Sequence, residues 1–276
     1  MVRRLAVVGV LALGMGSCGW GLCPQAAAPN AAAGALRPKF DAFEVATIKP
    51  ANEDADRGRY YRMEGTDRFV AKQYNVKLLI AAAYDLNPKT IVGLPSWGES
   101  DKYDVEAVTP GAVRPTREEQ MAMLRNLLVG RFKLTFHREE KVYSIYELTV
   151  AKGGEKMRKS AAAADAPSQV ISTVYADHVL MPARNATMGD VTAVMQRAIL
   201  DRPVVDKTGL TGRYDFDLTW APDESQFGGG VPVPTSGGTE PGLFTALVEE
   251  LGLKLEATRG PVEALVVDRV ERPSAN

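Results

Sequence analysis

Lys102-Tyr103-Asp104-Val105 recurs 111 residues later as Arg213-Tyr214-Asp215-Phe216, and this recurrence decides how the chain is read. It belongs to a series that keeps one order. Val76, Leu79 and Ala83 share a helical face, and their counterparts are Met188, Val191 and Met195. Phe132-Lys133-Leu134 returns as Leu253-Lys254-Leu255 after 121 residues; Ile145, Leu148 and Val150 return as Val262, Leu265 and Val267 after 117. The extra residues fall in a Gly/Pro-rich stretch, 223–242, that can continue neither helix nor strand. The series predicts an internal duplication.

Each copy reads as mixed α+β. In the first, Tyr60–Met63 and Phe69–Ala71 flank Gly65-Thr66-Asp67 as a hairpin, and Asn75 caps a helix over Val76–Tyr84. Pro95–Gly98 is a turn, and Tyr103–Val108 alternates as a half-buried strand. Thr116 and Glu119 form a capping box for a helix that turns Met121, Leu124, Leu127 and Leu128 inward. Arg131–His137 and Tyr143–Val150 are two further strands. The second copy has strands at Val170–Tyr175, Val179–Met181, Val204-Val205 and Tyr214–Trp220. Its helices are a Thr187/Asp190-capped one running to Leu200 and another over Leu243–Glu250. Strands at Leu253–Thr258 and Ala264–Val270 close it. The expected fold is α+β, two tandem, duplicated two-layer modules, each with helices on one face of a small mixed sheet. The first module spans 40–152 and the second 169–274, joined by a linker at 153–168. Whether the halves share one continuous sheet stays open.

The N-terminus reads differently. Arg3 and Arg4 precede the apolar run Leu5–Gly16, and small residues around Ala26-Ala27-Ala28 follow, the layout of a secretory signal peptide over 1–28. Twelve residues at ~1.5 Å each reach ~18 Å, short of a ~30 Å hydrocarbon core. An uncleaved membrane anchor is the alternative. Residues 29–39 are an Ala/Pro-rich lead-in. Both cysteines, Cys18 and Cys23, lie in this leader, so cleavage leaves no thiol. A second reading makes Cys18 the lipid-bearing residue of Met15-Gly16-Ser17-Cys18. The chain is thus expected to be exported: periplasmic, outer-membrane-attached or extracellular.

Composition excludes several functions. With 33 basic and 34 acidic residues, the net charge of −1 offers no global field for nucleic acid. Two histidines far apart supply no zinc motif, and no G-x-S-x-G marks a nucleophile elbow. Gly228-Gly229-Gly230 lacks the Lys-Ser/Thr of a phosphate loop. His137 near Glu139 and Glu140 reads as a solvated strand end, and His178 beside Asp177 as a turn residue. No catalytic residue, metal site or cofactor is expected.

Three long motifs carry a family resemblance. Phe43-Glu44-Val45-Ala46-Thr47-Ile48-Lys49-Pro50, Leu127–Glu139 and Arg202–Phe216 resemble the motifs of a soil-associated family of secreted, uncharacterised bacterial proteins, over about residues 40–274. That resemblance implies no activity and no catalytic residue. Each half also resembles the short N-terminal domain of secretins and TonB-dependent receptors, small modules that bind partner proteins or peptides.

The candidate binding residues are Arg202, Asp206, Lys207 and Arg213, a charged lip around Gly209 and Gly212, with Trp97 and Trp220 as stacking aromatics. For the lip the competing role is a tight turn, and for the tryptophans a core plug. The leading expectation is a non-enzymatic module that binds an envelope protein or peptide, its sheet edges open to an added strand. The alternatives are a secreted hydrolase with paired carboxylates on opposite copies and a membrane-anchored sensory ectodomain.

Overall fold

The computed structural model describes residues 37–52, 58–163, 165–229 and 239–273. The signal-peptide and Cys18 readings, and the Gly/Pro-rich stretch over 230–238, lie outside these residues. The chain is α+β, as its sequence predicts.

Its first part contains β1 (Val45–Pro50), β2 (Tyr60–Glu64), β3 (Arg68–Asn75), α1 (Val76–Tyr84), β4 (Ile91–Val92), α2 (Ser96–Ser100), β5 (Lys102–Val108), α3 (Arg117–Phe132) and β6 (Thr135–Val150). The second contains β7 (Arg158–Lys159), β8 (Gln169–Val170), β9 (Thr173–Val174), β10 (Val179–Ala186), α4 (Met188–Val194), β11 (Val204–Asp206), β12 (Tyr214–Trp220), α5 (Leu243–Ala246) and β13 (Leu253–Arg269). Single π turns extend α4 through Met195–Ile199 and α5 through Leu247–Leu251.

Local chemistry explains the helix starts. Asn75 Oδ1 accepts from Leu78 N–H, and Thr116/Glu119 and Thr187/Asp190 form reciprocal capping boxes. Asp85 and Lys133 stop α1 and α3 in the left-handed region, at φ 55° and 54°. Pro95–Gly98, expected as a turn, instead opens the one-turn helix α2.

Among the described residues three sheets result, in the orders β1-β5-β3-β2, β7-β12-β10-β8 (with β9 also on β10) and β11-β6-β13-β4. The third departs from expectation. Two pairs of short strands are in fact two long ones, β6 and β13, which run antiparallel over their whole length. The polar stretches that read as breaks face each other: Glu140 opposes Glu263, and Val142 and Tyr143 oppose Pro261 and Gly260. Each satisfies the other's backbone, so the ribbon crosses solvent without an apolar face.

Two hydrophobic cores sit at the ends of this ribbon. One gathers β1–β5, α1 and α3 with Leu134 of the first part and Leu265 and Val267 of the second. The other gathers β10–β12, α4 and α5 with Leu253 and Leu255, and takes Tyr146 and Leu148 from β6. We call these lobe one and lobe two. Each long strand therefore starts in its own lobe and ends in the other. β4 pairs parallel with β13, and β11 with β6. Residues on either side of the 153–168 stretch thus share one central sheet.

The two outer sheets carry the same irregularity. β3 bulges between Ala71 and Tyr74, with Gln73 at φ 61°; β10 bulges between Ala183 and Ala186, with Asn185 at φ 50°. Gln73 N–H donates to Asp104 Oδ1 at 3.1 Å, and Asn185 N–H to Asp215 Oδ1 at 2.8 Å. The aspartate of each Tyr-Asp pair is the acceptor that a bulged, unpaired N–H needs.

Candidate binding cleft

Where the lobes meet, buried polar groups hold them together. Asn87 is 2% exposed; its Nδ2 donates to the carbonyls of Gln196 (2.6 Å) and Leu200 (3.1 Å), and its Oδ1 accepts from Lys89 N–H. Gln196 returns a bond from Nε2 to the Asp85 carbonyl at 2.6 Å. Gln196 and Arg197 both lie on the π turn after α4, a local widening that often marks functional positions.

Beside this seam opens a cleft of about 1540 Å³. Lobe one contributes Tyr60–Met63 of β2, Gln73–Asn75 at the β3 bulge, and Arg117 at the start of α3. Lobe two contributes residues 168–172 and Val174 across β8 and β9, with Thr192–Val194 and Gln196–Ala198. The volume exceeds the ~300–1,000 Å³ of ordinary small-ligand sites. Both β2 and the β8–β9 edge are outermost strands of their sheets, and both border this cleft. Ile171 and Val174 stand 45% and 41% exposed there.

An ion network organises the inner wall. Asp85, held by the left-handed cap of α1, takes Arg117 in a bidentate pair at 2.9 and 2.5 Å. The same carboxylate lies 2.9 Å from Arg197 Nε, close enough for charge attraction but off the angle of a hydrogen bond. Arg197 Nη1 donates to Tyr61 Oη at 3.0 Å, and its side chain is only 8% exposed. Burial works against the charge on Arg117, but the paired Asp85 and the neighbouring Tyr61 together outweigh it and raise its pKa. Tyr74, packed edge-on against Tyr61, is pushed up to about 12, chiefly by burial.

The residues singled out from sequence lie elsewhere. Arg202 lies over the Tyr146 ring and pairs with Asp201. Asp206 closes a local turn by accepting from Thr208 N–H and Oγ1, and Lys207 N–H bonds the Leu148 carbonyl. Arg213 donates to the Asn185 carbonyl beside the lobe-two bulge. Trp97 is half-buried beneath Arg272. Trp220 is fully buried with Nε1 donating to Gln226, so it offers no face for stacking. None of the six lines the cleft. His137 pairs with Asp268 at 2.8 Å, 55% exposed on the ribbon, and His178 with Asp177. Among the described residues no cluster could hold a metal, and no helix is long and apolar enough to cross a membrane.

Sequence reasoning missed Asp85, Arg197, Tyr61 and Tyr74. A faint signal existed: Asp85 and Arg197 are 112 residues apart, the same offset that relates Val76 to Met188 in sequence, as are Lys89 and Asp201, which also pair.

This is an α+β protein with two cores on a shared ribbon and an arginine-lined cleft between them. Residues 77–270 match the family described as a protein of unknown function (DUF3738), and the chain belongs to that family. No curated protein and no solved structure matches it.

Proposed function

We propose that the chain is a non-enzymatic, exported binding module whose interlobe cleft receives an extended segment of an envelope protein or peptide. The observation that carries this reading is that the outermost strands of two separate sheets border one cleft, with Ile171 and Val174 exposed on the shorter edge. An added strand there would gain backbone hydrogen bonds and apolar cover together. Among the described residues the two carboxylates lining the cleft are already committed: Asp85 to two guanidiniums and Asp190 to the cap of α4. This favours binding over carboxylate hydrolysis. Random peptides selected on the full mature chain, followed by amide hydrogen exchange, test the reading. Binders should protect 168–174 and 60–63; failure to select any binder, or protection only elsewhere, overturns it. Sequencing the mature N-terminus tests export, with an intact Met1 as the contrary result.

We also infer that the lobes are copies of one unit. The paired bulges, their aspartate acceptors and the pairing of residues 112 apart support it, since equivalent residues touch only beside a pseudo-twofold axis. An alignment of family members in which 60–150 and 170–270 resemble each other no better than shuffled sequence counts against it.

A further inference from the structure

The charge of the cleft departs from that of the chain. The whole protein carries −1, yet among the described residues the cleft is lined by six cations, Arg59, Lys102, Arg114, Arg117, Arg197 and a Glu64-paired Arg62, against two acids, Asp85 and Asp190. Asp190 is used in helix capping, and one Asp85 carboxylate faces both Arg117 and Arg197. Arg197 is more than nine-tenths buried, and its Nη2 makes no hydrogen bond among the described residues. Nε of both arginines is buried without a hydrogen bond, while Arg197 Nη2 is not among the buried unpaired atoms and lines the open cleft. At the rim, Arg59, Lys102 and Arg114 form no ion pair among the described residues, and Arg59 lies over the Tyr74 ring instead. A buried guanidinium with unused donors is costly unless an anion completes it.

Resting on the binding reading above, we infer that the segment taken into the cleft is acidic. It alternates carboxylate and apolar side chains, and one carboxylate docks at Arg197 beside Tyr61. Alternation follows from strand geometry: residues i and i+2 share a face, so acids meet the arginine wall while apolar residues turn the other way. Arginine suits the role because its planar fork matches a carboxylate.

Fluorescent peptides of four Val-Glu repeats, four Val-Gln repeats and four Val-Lys repeats, titrated against the full mature chain, decide the matter. The Glu peptide should bind at least about tenfold tighter than the Gln peptide, the scale of one charge-assisted hydrogen bond. That margin should narrow as salt rises, and the Lys peptide should not bind. Arg197→Gln should erase the margin. Because Arg197 also contacts lobe one, the exposed pair Lys102→Gln with Arg114→Gln is the second probe and should cut the margin severalfold; Arg269→Gln, remote on β13, should leave it intact. Equal binding of the Glu and Gln peptides overturns the acidic inference while strand addition stands. Binding of none of the three overturns both. A single-stranded oligonucleotide that binds where no peptide does also overturns both.

Discussion

The two outer sheets correspond strand for strand at their centres and differ at their edges. In lobe one the edges are β1 and β2, of six and five residues; in lobe two they are the two-residue β7 and the broken pair β8 and β9. The bulges differ in the same sense. Asn185 is 3% exposed, and its Nδ2 donates to the carbonyls of Ala163 and Ala166, so the segment before β8 is folded down onto it. Gln73 reaches outward to the Asn52 carbonyl. The lesson is a division of labour: lobe one has complete edges and an open bulge, while lobe two has a locked bulge and an incomplete edge beside the cleft. An incomplete edge with exposed Ile171 and Val174 is where an added strand gains most.

The largest test asks whether lobes so different still fold as one. Phe132→Ala in lobe one and Trp220→Ala in lobe two each empty a fully buried site and should cost about 3–5 kcal/mol. Because β6 and β13 each enter both cores, either variant should shift a single cooperative urea transition. A biphasic curve would mean the lobes are independent despite the ribbon.

Next, the bulges can be exchanged. Asn185→Gln forces a longer side chain into a buried, doubly bonded site and should cost about 2 kcal/mol. Gln73→Asn should change stability by no more than about 0.5 kcal/mol, since Asn tolerates the left-handed region and the site is open. Equal costs in thermal denaturation would erase the contrast.

The alkaline limb probes lobe one at the cleft. Burial raises Tyr74 to about 12, so its neutral form is favoured in the folded state. Its contribution is complete below the ordinary tyrosine value of about 10 and is lost as pH rises through about 12. Burial also raises Tyr84, Tyr103 and Tyr146, so ultraviolet titration should show several late phenolates, and Tyr74→Phe should remove the component near pH 12.

The acid limb probes lobe two. The Asn185 N–H, first among several causes, holds Asp215 below the usual carboxylate range. Its stabilisation is therefore present above the unfolded-state value of about 4 and fades as pH falls through the lower folded value. Asp215→Asn keeps an acceptor but loses the charge, so its melting temperature should fall less steeply on acidification than that of the unsubstituted protein.

The secondary structure was legible where apolar periodicity and capping residues coincide. α1, α3, β5 and β12 follow from Asn75, Thr116/Glu119 and the two Tyr-Asp alternations. The continuity of β6 and β13 was not legible. Glu139–Lys141 and Thr258–Pro261 have no apolar face, and nothing local reveals that the first pairs with Val262–Ala264 and the second with Val142–Ile145. The cleft was the least legible. Arg202, Asp206, Lys207 and Arg213 form a dense cluster in sequence, but Arg202 and Asp206 are engaged by their neighbours Asp201 and Thr208, and Lys207 N–H and Arg213 by the Leu148 and Asn185 carbonyls, away from the cleft. Asp85, Arg117 and Arg197 stand alone in sequence and meet only in space.

The α+β class and the helix caps could be read from the chain, because those depend on side-chain period and on hydrogen bonds within a few residues. The tertiary structure alone decided that one ribbon serves both cores and that one aspartate faces two arginines across the lobes. Such contacts join residues about a hundred positions apart, and no local rule reaches that far.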